Sequence, residues 1–174
     1  MRLLLLGLAA AAVAAGAHAN EVDNARSLDI AVSGRVSQHC AIGSIADMDF
    51  GNLEKRGSGI RSQVAFDCNL PFTMTIKSAQ GALTNIDRPN GQGPYGGSVP
   101  YSLAVEMPLR RPATQMLDRT FDSRQLRAGG VISSSGGIAT DGMVLAVELG
   151  TPSGEAGLLA GEYAETITIT VSPI

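Results

Sequence analysis

Hydrophobic and polar residues alternate along most of this chain, with a period of two rather than the period of about 3.6 that an amphipathic helix requires. Six segments carry the pattern, each with its apolar side chains on one face. They are the even positions of 28–42, and then 64–68, 72–76, 101–107, 143–149 and 167–171. Because successive side chains of a strand point to opposite faces, each segment predicts a β-strand with one face in a core.

Glycine and proline mark the connections between these segments. Residues 88–97 form a glycine-rich loop, residues 133–137 form another turn region, and Asp141-Gly142 is typical of a type I′ hairpin turn. Only residues 119–126 could form one or two turns of helix. The fold class that we predict is an all-β, antiparallel sandwich of the immunoglobulin-like kind, with a small closed barrel as the alternative.

The N terminus has the features of a secretion signal. A positively charged start precedes an apolar run over residues 3–15, and a small-x-small motif, typical of a signal-peptidase site, ends at Ala19. The alternative is a retained membrane anchor, but the run is short for a hydrocarbon core of ~30 Å. We expect cleavage between Ala19 and Asn20 and export of a mature chain without a membrane span.

Export changes the interpretation of Cys40 and Cys68, which are the only cysteines of the chain. An even pair in an oxidising compartment indicates a disulfide. The alternative is a catalytic thiol at Cys40 with His39 as its base, but neighbouring residues of a strand point to opposite faces. We therefore predict a Cys40–Cys68 bridge, which stabilises the domain by roughly 3–4 kcal/mol in the chain-entropy account.

Composition and motifs exclude several classes of function. The chain has 13 Lys and Arg against 16 Asp and Glu, no Trp and 4% aromatic residues, so we expect no nucleic-acid partner. His39 is the only histidine of the mature chain, no G-x-S-x-G motif occurs, and Asp47-Met48-Asp49 resembles only the opening of a calcium loop. We predict no enzyme, no catalytic residue, no metal and no cofactor, and keep a secreted β-sandwich hydrolase as a third hypothesis.

Three motifs, taken in order, resemble one family. An alternating strand over 30–40 ends in the first cysteine, a DFGNL element over 49–53 precedes a strand that ends in the second, and LAGEYAETITITV occupies 159–171. With the signal sequence, they resemble the spore coat protein U domain, the subunit family of archaic chaperone–usher pili. The resemblance covers nearly the whole mature chain, and Glu165 stands where the family usually has Asp.

The resemblance implies a structural subunit of a surface pilus, with roles in cell adhesion and biofilm formation. Such a subunit is an incomplete immunoglobulin-like sandwich that lacks its last strand, so it has an apolar groove and an open sheet edge. A periplasmic chaperone fills the groove in transit. At the outer-membrane usher, the N-terminal extension of a neighbouring subunit replaces the chaperone, and head-to-tail contacts build an extracellular fimbrium. The open edge would be the C-terminal strand, with Tyr163, Ile167, Ile169 and Val171.

We divide the chain into a signal peptide, an N-terminal extension and a spore coat protein U-like β-sandwich domain, over residues 1–19, 20–33 and 34–174. Leu28, Ile30 and Val32 have the alternation that a donor strand requires. The alternative for this segment is a long first strand, over 28–42, of a complete sandwich. The alternative for the function is a stand-alone secreted or envelope-associated binding domain that does not polymerise.

Overall fold

The structure, a computed structural model, describes residues 26–54 and 59–174. The predicted signal peptide, its cleavage site between Ala19 and Asn20, and the start of the predicted extension lie outside the described residues. The chain divides between Arg35 and Val36 into an N-terminal unit and a main unit. In the described part of the N-terminal unit, residues 26–35, the backbone forms no regular secondary structure.

The main unit consists almost entirely of β-strands, as the alternation predicts. Its described strands are β1 Cys40–Ile42, β2 Gly59–Val64, β3 Phe66–Cys68, β4 Phe72–Ser78, β5 Leu83–Asn85, β6 Ser98–Val99, β7 Tyr101–Arg111, β8 Ala113–Asp122, β9 Gly130–Ser133, β10 Met143–Leu149, β11 Tyr163–Ala164 and β12 Ile167–Pro173. One short helix, α1 Ser123–Leu126, follows β8. Every pairing between these strands is antiparallel.

Two sheets contribute their inner faces to a single core. The first has the strand order β2-β10-β7-β8 and the second has the order β12-β4-β9, while β11-β5-β6 and β1-β3 form smaller sheets. Side chains of the first sheet, such as Leu103 and Leu145, belong to the same buried cluster as Met74 and Ile132 of the second. The fold is therefore an all-β antiparallel sandwich, and the prediction of its class is confirmed.

Strand β4 illustrates why the alternation predicted the core. Phe72, Met74 and Ile76 are 0% exposed, whereas the threonines between them are half-buried on the other face. The ring of Phe72 meets that of Phe66 edge to face, with the centroids 5.0 Å apart. Burial of one face thus follows directly from the period of two.

The predicted disulfide is confirmed. Cys40 and Cys68 are bonded and occupy directly opposed positions of β1 and β3. His39 does not act on the sulfur, because its Nε2 lies 3.0 Å from Oδ1 of Asp67 on the neighbouring strand. The bridge and this contact hold the beginning of the main unit against β3.

The prediction of one long extended strand with an inward face over 28–42 is wrong. Only Cys40–Ile42 forms a strand, and the residues expected to face inward are exposed. Leu28, Ile30, Val32 and Val36 are 83%, 73%, 90% and 84% exposed. Alternation specifies which side chains share a face, but a strand forms only where a sheet edge offers backbone partners. The hypothesis of a long first strand of a complete sandwich is therefore also wrong.

Two local predictions need correction. Asp141-Gly142 does not close a hairpin, because β9 before it pairs with β4 whereas β10 after it pairs with β2 and β7. The positive φ of Gly142, 76°, serves a passage from one sheet to the other. Of the predicted helical residues 119–126, only the last four form α1, capped by Asp122, because the others pair with β7 as part of β8.

Candidate functional site: an apolar groove beside the C-terminal strand

Strand β12 is the edge of its sheet. Among the described residues it pairs with β4 alone. At one end of this ladder, Thr166 O accepts from Ala79 N at 3.0 Å. At the other end, Ile174 N donates to Pro71 O at 2.8 Å. Thr166 and Ile174 are both even-numbered, so the even-numbered residues of the C-terminal segment turn their backbone groups towards β4. In an antiparallel strand the N–H and C=O of one residue point to the same side, and the side alternates along the strand. The odd-numbered residues therefore turn their backbone groups away from β4.

The outward backbone groups belong to the same residues whose side chains face the core. Ile167, Ile169 and Val171 are half-buried and pack against the core cluster. A strand that paired with the free edge of β12 would hydrogen-bond to these three residues and would place its own alternate side chains beside theirs. The edge thus offers backbone partners and apolar contacts at the same positions.

An apolar groove of about 530 Å³ lies along this edge. Both sheets contribute to its walls, and the segment from Ile42 to Phe50 borders it. Its lining includes Val64, Leu145 and Val147, which are buried, and Leu149, Ile167 and Ile169, which are half-buried. Side chains of both sheets therefore line the groove, and those of β12 and of the end of β10 keep part of their surface exposed.

A second depression, of about 650 Å³, lies beside β11. It shares Met48, Phe50 and Leu83 with the lining of the apolar groove. Residues 158–163 line this second depression, and Tyr163 is fixed there because its hydroxyl donates to Leu159 O at 2.6 Å.

Glu165 fixes the start of β12. Its carboxylate accepts hydrogen bonds of 2.7–3.2 Å from one hydroxyl and four backbone N–H groups, those of Ser78, Ala79, Gln80, Ala82 and Thr166. The carboxylate therefore ties the turn after β4 to the edge strand. Glu165 also lines the apolar groove beside β12.

Tyr101 lies in the same wall as Glu165. Its side chain lines the groove, and the residue is 4% exposed. Its hydroxyl is buried and makes no hydrogen bond of good geometry with the described residues, and the Ser78 hydroxyl lies beside it. Burial raises the pKa of Tyr101 from 10.0 to about 12; the Ser78 hydroxyl beside it acts in the opposite direction, and the negative charge of Glu165 adds to the rise.

The structure distributes the predicted site residues over three places. Ile167, Ile169 and Val171 lie together on β12, whereas Tyr163 lies on the separate strand β11, which pairs with β5. Leu28, Ile30 and Val32 are exposed on a segment without secondary structure. The sequence pattern missed the residues of the opposite sheet that line the groove, because their alternation shows that they face inward but not that a groove lies beside them.

Other kinds of site have little support in the described residues. No group of three or more His, Cys, Asp and Glu residues in 26–54 and 59–174 could hold a metal ion. No helix of these ranges is long and apolar enough to cross a membrane. The groove beside β12 is therefore the feature on which a functional interpretation can be built.

Comparison with known proteins adds no relative. The chain matches no protein-family model, and no curated protein sequence matches it. The resemblance to the spore coat protein U domain thus depends on the three sequence motifs, and the function has to be argued from the geometry of the groove.

Proposed function

We propose that this protein is the structural subunit of a surface pilus, of the spore coat protein U domain family, and that it assembles by donor-strand exchange through a chaperone–usher system. One observation carries the proposal: the free edge of β12 borders an apolar groove that side chains of both sheets line. A sandwich with this combination accepts one more strand.

The physical argument begins with the unpaired edge. Unpaired N–H and C=O groups on an edge strand form a template for pairing with another chain, and native proteins usually cover or interrupt such an edge. Here the outward groups of Ile167 and Ile169 adjoin an apolar groove instead. An inserted strand satisfies these backbone groups, and its alternate side chains fill the groove, which is β-augmentation.

The N-terminal segment has the pattern that such a strand needs. Leu28, Ile30 and Val32 occupy every second position and are 83%, 73% and 90% exposed. Burial of each apolar side chain contributes about 1.5–3 kcal/mol. A donor segment from a second copy can therefore bind through three side chains and the backbone ladder, and because this contact runs head to tail, it extends into a filament.

The remaining parts of the proposal follow from export. The N-terminal signal directs the chain through the inner membrane, where a free edge and an apolar groove favour aggregation. A periplasmic chaperone that occupies the groove prevents this, and the outer-membrane usher exchanges the chaperone for the donor segment of the next subunit. The filament is then an extracellular fimbrium, and the chaperone and usher contacts are transient.

The test replaces one inward donor residue by a charge. Ile30→Asp places an unpaired carboxylate in an apolar pocket, which costs several kcal/mol. We expect this variant to form no filaments in electron micrographs while the subunit still folds. Ala31→Asp is the matched control, because the neighbouring position of a strand faces the opposite side, and it should leave filament formation intact.

Two outcomes would contradict the proposal. Filaments of the Ile30→Asp variant would show that the donor segment does not bind through its even positions. A wild-type chain that stays monomeric and stable without a chaperone, with its groove closed, would favour the stand-alone secreted or envelope-associated binding domain.

A further inference from the structure

Gly34 is a glycine that the subunit itself does not require. It lies on the exposed segment before the main unit, and its φ is outside the left-handed region that favours glycine. A methyl group added at its Cα would meet no atom of the described residues within 4 Å. Because glycine loses more backbone entropy on ordering than any other residue, it is unfavourable in a strand. The reason for a glycine here is therefore to be sought in a contact with another molecule.

The wall of the groove along β12 changes from apolar to charged at one position. Ile169 and Ile167 line the groove, and two residues before Ile167 the carboxylate side chain of Glu165 lines it as well. The donor segment has the corresponding order, because Gly34 occupies the inward position that follows its apolar residues. In one antiparallel alignment, the apolar residues of the two strands meet and the residue without a side chain meets the carboxylate.

We infer that the donor segment of a second copy runs antiparallel to β12, with Ile30 opposite Ile169 and Gly34 opposite Glu165, and that Glu165 determines this register. The inference rests on the proposed function and makes it more specific. Directly opposed residues of two strands share a face, with Cβ atoms about 4.5–5.5 Å apart. A glycine opposite Glu165 leaves the hydrogen bonds of the carboxylate intact, whereas a larger side chain would be packed against a charged group.

Shifting the register by two residues loses this match. In one direction Val32 would lie opposite Glu165, and an apolar side chain would displace water from the carboxylate without offering it a hydrogen bond. In the other direction Gly34 would lie opposite Ile167 and leave that part of the groove unfilled, while Val36 would meet the carboxylate. A slip by one residue would turn all the apolar side chains to the outer face. One antiparallel register therefore satisfies both the apolar positions and the charged one.

A donor parallel to β12 would bring Arg26 to the carboxylate, because Arg26 occupies the inward position before the apolar residues. The oxygens of Glu165 already accept from one hydroxyl and four backbone N–H groups, so few lone pairs remain for a guanidinium. Antiparallel pairing is also slightly more stable per residue, and every pairing between the described strands is antiparallel. Both observations favour the antiparallel direction.

Cross-linking measures the register directly. The subunit is the exported chain with Ile30→Asp, which cannot act as a donor but keeps its groove, and with Thr168→Cys. Thr168 is exposed on the outer face of β12, and the two native cysteines are bonded to each other. In the inferred register Ala31 lies opposite Thr168 as a non-hydrogen-bonded pair. The Cα atoms of such a pair are about 4.5 Å apart, a distance at which a disulfide forms.

Three synthetic peptides of residues 20–38 carry one cysteine each, as Asp29→Cys, Ala31→Cys or Ser33→Cys. In a glutathione redox buffer, the Ala31→Cys peptide should give the main cross-linked product with the Thr168→Cys subunit. A main product with Asp29→Cys would indicate the parallel direction or a shifted register, and one with Ser33→Cys would indicate a shift in the other sense. Either of these two results overturns the inference.

Substitutions in the peptide test the role of Gly34 without changing the subunit. Valine favours a strand more than glycine does, so strand propensity alone predicts tighter binding of a Gly34→Val peptide. We expect the labelled Gly34→Val peptide to bind the Ile30→Asp chain about ten-fold more weakly than the wild-type peptide, an effect typical of an overpacked position. Ser33→Val is the matched control, because its side chain faces outward, and its Kd should not increase.

A double-mutant cycle assigns the effect to Glu165. With Glu165→Ala in the subunit, the Gly34→Val peptide should bind as tightly as the wild-type peptide, because the carboxylate that opposes the valine is gone. The inference is overturned if the loss persists with Glu165→Ala, or if Gly34→Val does not weaken binding to the chain that has Glu165. The cross-links and the contrast with Ser33→Val decide it even where Glu165→Ala prevents folding.

Failure of the wild-type peptide to bind, together with no cross-link at any position, is a different result. It contradicts the proposed function itself, because the groove would then not accept the donor segment in any register.

Discussion

At the scale of single residues, Glu165 joins three parts of the molecule. Its carboxylate receives the N–H groups of the turn after β4, the Ser78 hydroxyl and the N–H of Thr166, and it lines the groove. Hydrogen bonds to charged groups are stronger than those between neutral groups. The free edge of β12 is thus held in place at its first residue, although no strand supports it on its outer side among the described residues.

We expect Glu165→Ala to lower the free energy of unfolding by about 2 kcal/mol, because water replaces only part of the lost hydrogen bonds. Glu165→Gln should have an intermediate effect, since an amide has one acceptor oxygen instead of two. Urea unfolding measures both changes. Glu148→Gln, at an exposed position of β10, is the control and should stay within about 0.5 kcal/mol of the wild type. Equal stability of Glu165→Gln and the wild type would contradict the structural role of the carboxylate.

Ionisation of the Tyr101 hydroxyl makes the free energy of unfolding depend on pH in the alkaline range. Its pKa is about 12 in the folded protein against 10.0 for an ordinary tyrosine, so the folded state favours the neutral hydroxyl. The unfolded chain ionises first as the pH rises past 10.0, and the contribution of Tyr101 to stability is lost between this value and about 12. Below pH 10 the contribution is fully present.

We therefore expect the stability of the wild type to fall more steeply than that of the Tyr101→Phe variant above about pH 10. The comparison of the two proteins removes the effect of the other titrating groups. Urea unfolding at about pH 9 and about pH 11 measures the difference. Parallel pH profiles of the two proteins would show that the hydroxyl ionises as readily in the fold as in water.

At the scale of elements, the disulfide compensates for the shortness of β1. This strand has three residues, and residues 26–39 before it form no strand. A three-residue strand provides few hydrogen bonds of its own. The Cys40–Cys68 bridge, between residues separated by 28 positions, keeps β1 on β3.

Replacing both cysteines by serine should lower the free energy of unfolding by roughly 3–4 kcal/mol in the chain-entropy account, and should reduce the folded yield in the periplasm. The two measurements are urea unfolding of the purified protein and the soluble fraction after export. The reduced wild type is the control, because it loses the bridge without a change of sequence. Unchanged stability of both would mean that β1 pairs with β3 without the bridge.

At the scale of the whole molecule, the main unit combines a dense core with one uncovered side. Phe72, Met74 and Ile76 are 0% exposed, whereas Ile167 and Ile169 at the free edge are only half-buried. Apolar surface left open to water attracts an apolar partner. The groove should therefore be detectable in solution before any partner is known.

We expect the folded Ile30→Asp chain to bind the dye anilinonaphthalene sulfonate, which fluoresces on apolar surface. The wild-type peptide of residues 20–38 should displace the dye, because it covers the groove. The same peptide with Ile30→Asp is the control and should not displace it. A cooperatively folded chain that binds no dye would contradict an open groove.

What the sequence determined was local. Alternation placed the inward residues of β4 and β7 correctly, because a period of two puts every second side chain on one face wherever a strand forms. It missed β8, Ala113–Asp122, whose residues are exposed or half-buried: Met116 is 66% exposed, so no buried face marks the strand. Pairing with β7 makes it a strand, and pairing is a property of two segments together rather than of the pattern within one of them.

The tertiary structure decided where strands end and which edge stays free. Residues 28–36 carry the same alternation as β4, yet they form no strand, because the outcome depends on a neighbouring edge and not on the segment itself. For the same reason the sequence indicated that Ile167, Ile169 and Val171 face a core, but only the assembled sheets left their outward backbone groups unpaired, with a groove beside Ile167 and Ile169. The order of apolar and polar side chains is a property of the sequence. A free strand edge, by contrast, depends on where every other strand of the sandwich lies.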